Sequence, residues 1–284
     1  MKHPNRPGLR TLALLLGFSL AAAAHAQVDD DGNDRNKPLW EAGLVGFGLG
    51  QPAYPGAADN VSRALLVPWG VYRGKIFRVA DGNVGARVVS QDSVKFDIGF
   101  AGALGASSKD VAIRSGMPDL GFQFEFGPRT RFILARPERG AELRLDLPLR
   151  AVFEAKSGIN HRGYAFEPRL SYDFDSPDDQ WGWQVSGSLV YADKEYAQYL
   201  YGVPAQFARA GRPAYQAQSG LVTSRVSLSG WKRLNPDWSV FGFVRYDYTG
   251  GAANTDSPLH LKNGGTAAGV GVAWTIGRSS ERVN

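Results

Sequence analysis

Beyond the first 26 residues the chain carries two histidines, His161 and His260, and its 284 residues contain no cysteine. Thiol catalysis and Cys-ligated metals are therefore excluded. His260 closes the run Asp256-Ser257-Pro258-Leu259-His260, which holds an acid, a hydroxyl and an imidazole. Triads, however, are assembled in space from scattered positions, so short spacing is no sign of a relay. The two histidines lie far apart and lack the H-x-x-x-H spacing of a zinc pair. Asp29-Asp30-Asp31 is a single acidic run with no fixed ligand geometry. No Gly-rich loop links a strand to a helix in the manner of a phosphate cradle. The expectation is no catalytic residue, no cofactor and no metal. The side chains best suited to binding lie between Ala192 and Tyr215. Tyr196, Tyr199, Tyr201, Arg212 and Tyr215 are types that dominate contact energies and form a candidate partner-contact loop. The alternative is a loop folded over the rest of the protein, its tyrosines packed internally.

The elements that must position these residues are strands. From Glu142 to Glu154, Leu143, Leu145, Leu147, Leu149, Ala151 and Phe153 share one parity, while Glu142, Arg144, Asp146, Arg150 and Glu154 share the other. A strand sends successive side chains to opposite faces, so one face is hydrocarbon and the other charged. The pattern recurs along most of the chain from Trp40 to Ile276, giving about twelve strands. Lys2, Arg6 and Arg10, the apolar stretch from Leu12 to Ala24, and Ala24-His25-Ala26 have the form of a cleavable signal peptide. Mean hydropathy is only −0.25, which argues against helical spans but not against a barrel, whose strands are half apolar. The leader holds three of the 32 Lys and Arg and none of the 27 Asp and Glu, leaving 29 against 27. So small an excess gives no reason to expect a nucleic-acid partner.

Connections supply a second line of reasoning. Turns are expected at 73–74, 90–92, 135–140, 175–180 and 233–236, and outer loops at 51–62, 81–82, 106–118, 155–161, 194–215 and 249–264. The long ones all fall at one end, and only 81–82 is short for its side. Trp40, Trp69, Trp181, Trp238 and Trp274 fall near strand ends or on the apolar parity, as expected of an interfacial girdle. The fold class is all-β: a transmembrane antiparallel up-and-down β-barrel of about 12 strands. Its divisions are a signal peptide at 1–26, a flexible periplasmic lead-in at 27–38, the barrel at 39–277 and a tail at 278–284. The charged parity then lines the lumen, with both signs in similar number, suggesting a cross-linked interior. Leu147→Arg is expected to be costly on the lipid face, and Arg144→Leu milder.

Several short motifs in order bear a resemblance. They include Tyr54-Pro55-Gly56, Val71-Tyr72-Arg73-Gly74, Gly116-Met117-Pro118-Asp119-Leu120 and Leu147-Pro148-Leu149-Arg150. Tyr191-Ala192-Asp193, Tyr201-Gly202-Val203, Arg212-Pro213-Ala214-Tyr215, Arg245-Tyr246-Asp247 and Asp256-Ser257-Pro258-Leu259 continue the series. Together they resemble the MipA/OmpV family of outer-membrane proteins. The resemblance implies a non-enzymatic barrel in the Gram-negative outer membrane, embedded in its lipid. It also implies a scaffold that contacts a lytic transglycosylase and a bifunctional penicillin-binding protein in peptidoglycan remodelling. Barrels of this kind usually end their last strand on an aromatic residue, whereas here Trp274-Thr275-Ile276 is followed by Gly277 to Asn284, a departure from that pattern. The competing readings are a narrow channel for a small solute and, more weakly, a surface hydrolase using His161 or His260.

Overall fold

The computed structural model describes residues 38–73, 78–80, 83–85, 89–91 and 93–283. The expected signal peptide, nearly all of the lead-in and the 81–82 connection lie outside these residues. The strands are β1 (Trp40–Pro52), β2 (Asn60–Arg73), β3 (Arg78–Ala80), β4 (Asn83–Gly85), β5 (Val89–Gln91), β6 (Val94–Ala103) and β7 (Phe122–Ala135). They continue with β8 (Ala141–Ala155), β9 (Ile159–Phe166), β10 (Arg169–Asp175), β11 (Trp181–Ala192), β12 (Gly220–Arg233), β13 (Trp238–Tyr248) and β14 (Gly264–Arg278). Among the described residues one short α-helix, α1, spans Lys194–Tyr201.

All strands belong to one antiparallel sheet. Its hydrogen-bonded path runs β4-β3-β2-β1-β14-β13-β12-β11-β10-β8-β7-β6-β5, and β9 pairs with both β8 and β11. β9 and β10 share both neighbours, so they are two lengths of one stave parted at Glu167-Pro168. Proline has no N–H for the ladder, which explains a break there. β4 and β5, the ends of the path, run in the same direction with three residues between them. That chain spans at most ~14 Å, so the two ends of the sheet must meet. The described strands make up a barrel wall of twelve staves in sequence order. At this seam the described pairing is short, with two positions between β2 and β3 and three each between β3 and β4 and between β5 and β6. The other staves pair at length, as a lipid environment demands of backbone polar groups.

Most short connections gather at one end, where the described N- and C-terminal segments also meet: the N–H of Leu39 donates to the carbonyl of Glu281 at 2.9 Å. The long connections 53–59, 104–121, 193–219 and 249–263 gather at the other. The outer loop expected at 155–161 is corrected to a three-residue turn, 156–158, because Ile159, Asn160 and His161 already pair with β8. The outer surface is apolar. Leu66 is 70% exposed, Val270 68% and Val226 60%, joined by Leu149, Leu228, Val244 and Ile276. So continuous a band of exposed aliphatics marks a lipid-facing surface. Trp238 stacks on Trp274 at 5.5 Å near the short-turn end, where Trp40, Trp181 and the Tyr172–Trp183 pair also lie. Tyr164, Tyr191 and Tyr248 mark the opposite margin. Among the described residues no helix is long and apolar enough to cross a membrane.

The expectation that Trp69 belongs to an outer interfacial girdle is corrected, and strict alternation fails at Val222 as well. Trp69 points inward, against Gly43, and belongs to a buried cluster with Val45, Phe47, Leu49, Phe241 and Ala273. Val222 is also inside: the register of β11 and β12 shifts between Val190 and Tyr191, and this bulge turns Val222 under the long loops.

Candidate functional site

The lumen has two kinds of wall. From β6 to β13 it carries ion pairs running from strand to strand. Arg129 grips Asp97 with Nε and Nη2 at 2.8 and 2.6 Å. Asp146 receives Arg131 Nε at 2.8 Å and Arg144 Nε at 3.2 Å, and Arg144 continues to Asp173 at 2.9 Å. Arg150 donates Nε to Glu125 at 2.8 Å and Nη2 to Glu167 at 2.7 Å. Glu167, at the break between β9 and β10, also receives Arg169, Arg225 and the Ser188 hydroxyl. Arg225 and Arg245 then meet on Asp247 at 2.6 and 3.0 Å. Strand alternation creates this network, because it aims every second residue of adjacent staves at the same space. Ions at this burial persist only when paired and hydrogen-bonded.

From β13 through β14 and β1 to β2 the inner face is apolar instead. Phe241 and Phe243 lie over Gly271 and Gly269, where an added Cβ would fall 2.3 and 2.7 Å from their rings. Glycines on β14 thus give the rings room inside the barrel. A residual cavity of about 190 Å³ lies among Phe47, Leu49, Leu104, Phe122, Phe241 and Arg245.

The long-loop end is closed by a cap. Asp193 starts α1 by accepting the N–H of Tyr196 at 2.8 Å, the role of an N-cap carboxylate. The helix lays its tyrosines inward. Tyr196 donates to Gln123 at 2.9 Å, Tyr199 to Glu154 at 2.9 Å, and Tyr201 to the carbonyl of Pro55 at 2.9 Å. Tyr54 donates to the carbonyl of Leu259 at 2.8 Å and packs edge-on to Tyr201. Arg212 donates to the carbonyls of Ile113, Ser115 and Phe207, at 2.6, 3.0 and 2.7 Å. Tyr215 donates to Asn254 at 3.2 Å. The five side chains of the candidate contact loop therefore meet the barrel rim and neighbouring loops, and Tyr196, Tyr201 and Arg212 are buried. Burial pushes the Tyr54 phenol up to about 12, against the opposing charge of Arg114. It likewise raises the phenols of Tyr199 and Tyr201 and lowers the guanidinium of Arg114.

The histidines are structural in their contacts. His260 Nε2 meets the Thr249 hydroxyl at 2.9 Å, and its ring lies over Gly56, which takes a φ of +85° and has no room for a Cβ. Ser257 donates its hydroxyl to the Tyr201 carbonyl at 2.7 Å, so the Asp-Ser-His run forms no relay. His161 packs between Phe153 and Tyr164 with Glu195 at 3.6 Å. Among the described residues no group of three His, Cys, Asp or Glu could hold a metal.

A barrel wall, a lipid-facing belt and a capped, ion-paired lumen define an outer-membrane β-barrel. The chain belongs to the MipA family: the family model described as MltA-interacting protein MipA matches residues 45–276. No curated protein matches the sequence. Among solved structures, the NanC porin is similar over 82% of this chain and 100% of its own, at 9% identity and a TM-score of 0.41. An outer membrane channel from Pseudomonas putida F1 covers 87% of this chain and 100% of its own, at 12% identity and a TM-score of 0.37. The outer membrane phospholipase A from Escherichia coli covers 82% and 92%, at 9% identity and a TM-score of 0.33.

Sequence reasoning missed Tyr54, Arg114 and Leu259 as parts of one assembly. Only Tyr54 and Leu259 carried a signal, as members of the short motifs. Arg114 carried none, being one arginine in an irregular loop.

Proposed function

We propose that this protein is a non-enzymatic outer-membrane scaffold, with a lytic transglycosylase and a penicillin-binding protein of peptidoglycan remodelling as its partners. The observation that carries this is the filled interior. One half of the lumen is cross-braced by arginine–carboxylate pairs, the other is packed with aromatic rings, and the mouth is folded shut by the cap. A barrel so filled presents its rims rather than a path. The family description, MltA-interacting protein, supports the same reading. Outer-membrane barrels keep short turns on the periplasmic side, where wall-remodelling enzymes work, so contact is assigned to the turns at 136–140, 176–180 and 234–237. The export signal at 1–26 belongs to the same proposal.

The test uses the barrel in lipid nanodiscs and a purified soluble lytic transglycosylase. Saturable binding is expected, weakened when Glu138 and Arg139 in the first of those turns are reversed in charge. Planar-bilayer recordings are expected to lack a large steady conductance. Absence of binding together with a steady, solute-selective current would replace this reading with the narrow channel.

A further inference from the structure

Arg114 differs from the arginines of the lumen wall, and also from buried Arg212, whose Nε and Nη groups all reach backbone carbonyls. Among the described residues seven arginines, at 129, 131, 144, 150, 162, 225 and 245, each place Nε on a carboxylate. Arg114 is only 4% exposed, yet its Nε has no partner. Its Nη1 donates to the carbonyl of Leu200 at 3.0 Å, and Nη2 makes one contact, to the carbonyl of Pro118, at 3.5 Å. The Nε–Nη2 edge, the side that Arg129 turns to Asp97, therefore carries almost no hydrogen bonding. The guanidinium lies over the Tyr54 ring at 5.7 Å but bonds no carboxylate among the described residues, and a desolvated guanidinium without a bonded counter-ion is costly to keep.

This side chain lines a cavity of about 790 Å³ between loop 104–121, the β8–β9 hairpin and α1. Met117, Pro118, Pro204 and Phe207 give the cavity an apolar side. Its acids are engaged elsewhere. Glu154 is held by Arg162, Tyr199 and the N–H of Gly121; Asp119 by Ser107, Ser108 and Lys156; and Glu195 faces His161. Besides Lys156 and Arg162, which meet those acids, Lys194 adds a further cation to the lining. One uncompensated guanidinium beside an apolar wall matches a monoanion with an apolar body, and the planar fork of arginine matches carboxylate.

We propose that the cap cavity binds a small organic carboxylate, whose carboxylate completes the Nε–Nη2 edge of Arg114 while its apolar body rests on Met117, Pro118, Pro204 and Phe207. The site faces the long-loop side and is independent of the scaffold reading.

Titration calorimetry on the full barrel in detergent, with benzoate, benzamide and inorganic phosphate as probes, tests it. Benzoate is expected to saturate one site at least about tenfold more tightly than its neutral amide, the scale of a charge-assisted pair. Arg114→Gln should remove most of that preference. Should that variant lose its folded cap, two rim variants decide. Lys194→Glu is expected to weaken benzoate several-fold, and Asp119→Asn to strengthen it. Equal binding of benzoate and benzamide would overturn the proposal. So would phosphate binding more tightly than benzoate, no saturable benzoate binding at tens of millimolar, or no response to either rim variant.

Discussion

Glu167 and Phe241 both point into the barrel, yet they fill it by opposite means. Glu167 joins Arg150, Arg169 and Arg225, so its half of the lumen is held by charges that need one another. Phe241 rests on Gly271 beside Phe47, and its half is held by volume. The charged half should break when a partner is removed; the apolar half should break when an atom is added.

The largest effect belongs to the charged half. Glu167→Ala leaves three guanidiniums short of a partner and should cost ~3–5 kcal/mol, read by urea unfolding followed by tryptophan fluorescence. Arg144→Leu belongs in the same range, because Arg144 bridges Asp146 and the fully buried Asp173. The mild effect expected from parity alone is thus revised. Next comes the outer face, where Leu147→Arg should cost ~2–4 kcal/mol near the membrane midplane. A cost near zero would mean that the inner and outer faces are exchanged. In the apolar half, Gly271→Val should cost ~1–3 kcal/mol by overpacking against Phe241 and Phe47. If Gly271→Val proves neutral while Glu167→Ala is severe, volume does not hold that half.

The smallest effect is one of pH and lies in the cap, where burial lowers the pKa of His260 below its ordinary 6.5. The folded cap holds this imidazole neutral while the unfolded chain protonates it. Cap stability should therefore fall as pH drops below about 6.5, the unfolded value. Protease sensitivity of the long loops should rise over that range, and His260→Gln should flatten the dependence.

Much of the barrel was legible because lipid and lumen impose a period of two on every stave. Leu143 to Phe153 showed it on β8, and long and short connections alternated except at 156–158, where pairing of β9 with β8 shortens the expected outer loop. Trp69 and Val222 escaped for local reasons. Trp69 needs the space above Gly43 on a neighbouring stave, and Val222 sits at a bulge that strict alternation does not reveal. The candidate contact residues were legible as types, but not in the direction they face. Tyr196 and Tyr201 could serve a surface or a core, and only the packing of α1 against the rim assigns them inward.

The sequence by itself determined that apolar and polar side chains take opposite faces, because that follows from backbone geometry one residue at a time. It also determined the chain order of the staves and the end at which the long loops gather. Tertiary structure alone decided which charges pair, since Arg150 meets Glu125 and Glu167 only once separate strands lie side by side. It decided the cap as well, where Tyr54, Arg114, Tyr201 and Leu259 come from four distant segments. Their contacts depend on loop closure, which no local pattern encodes.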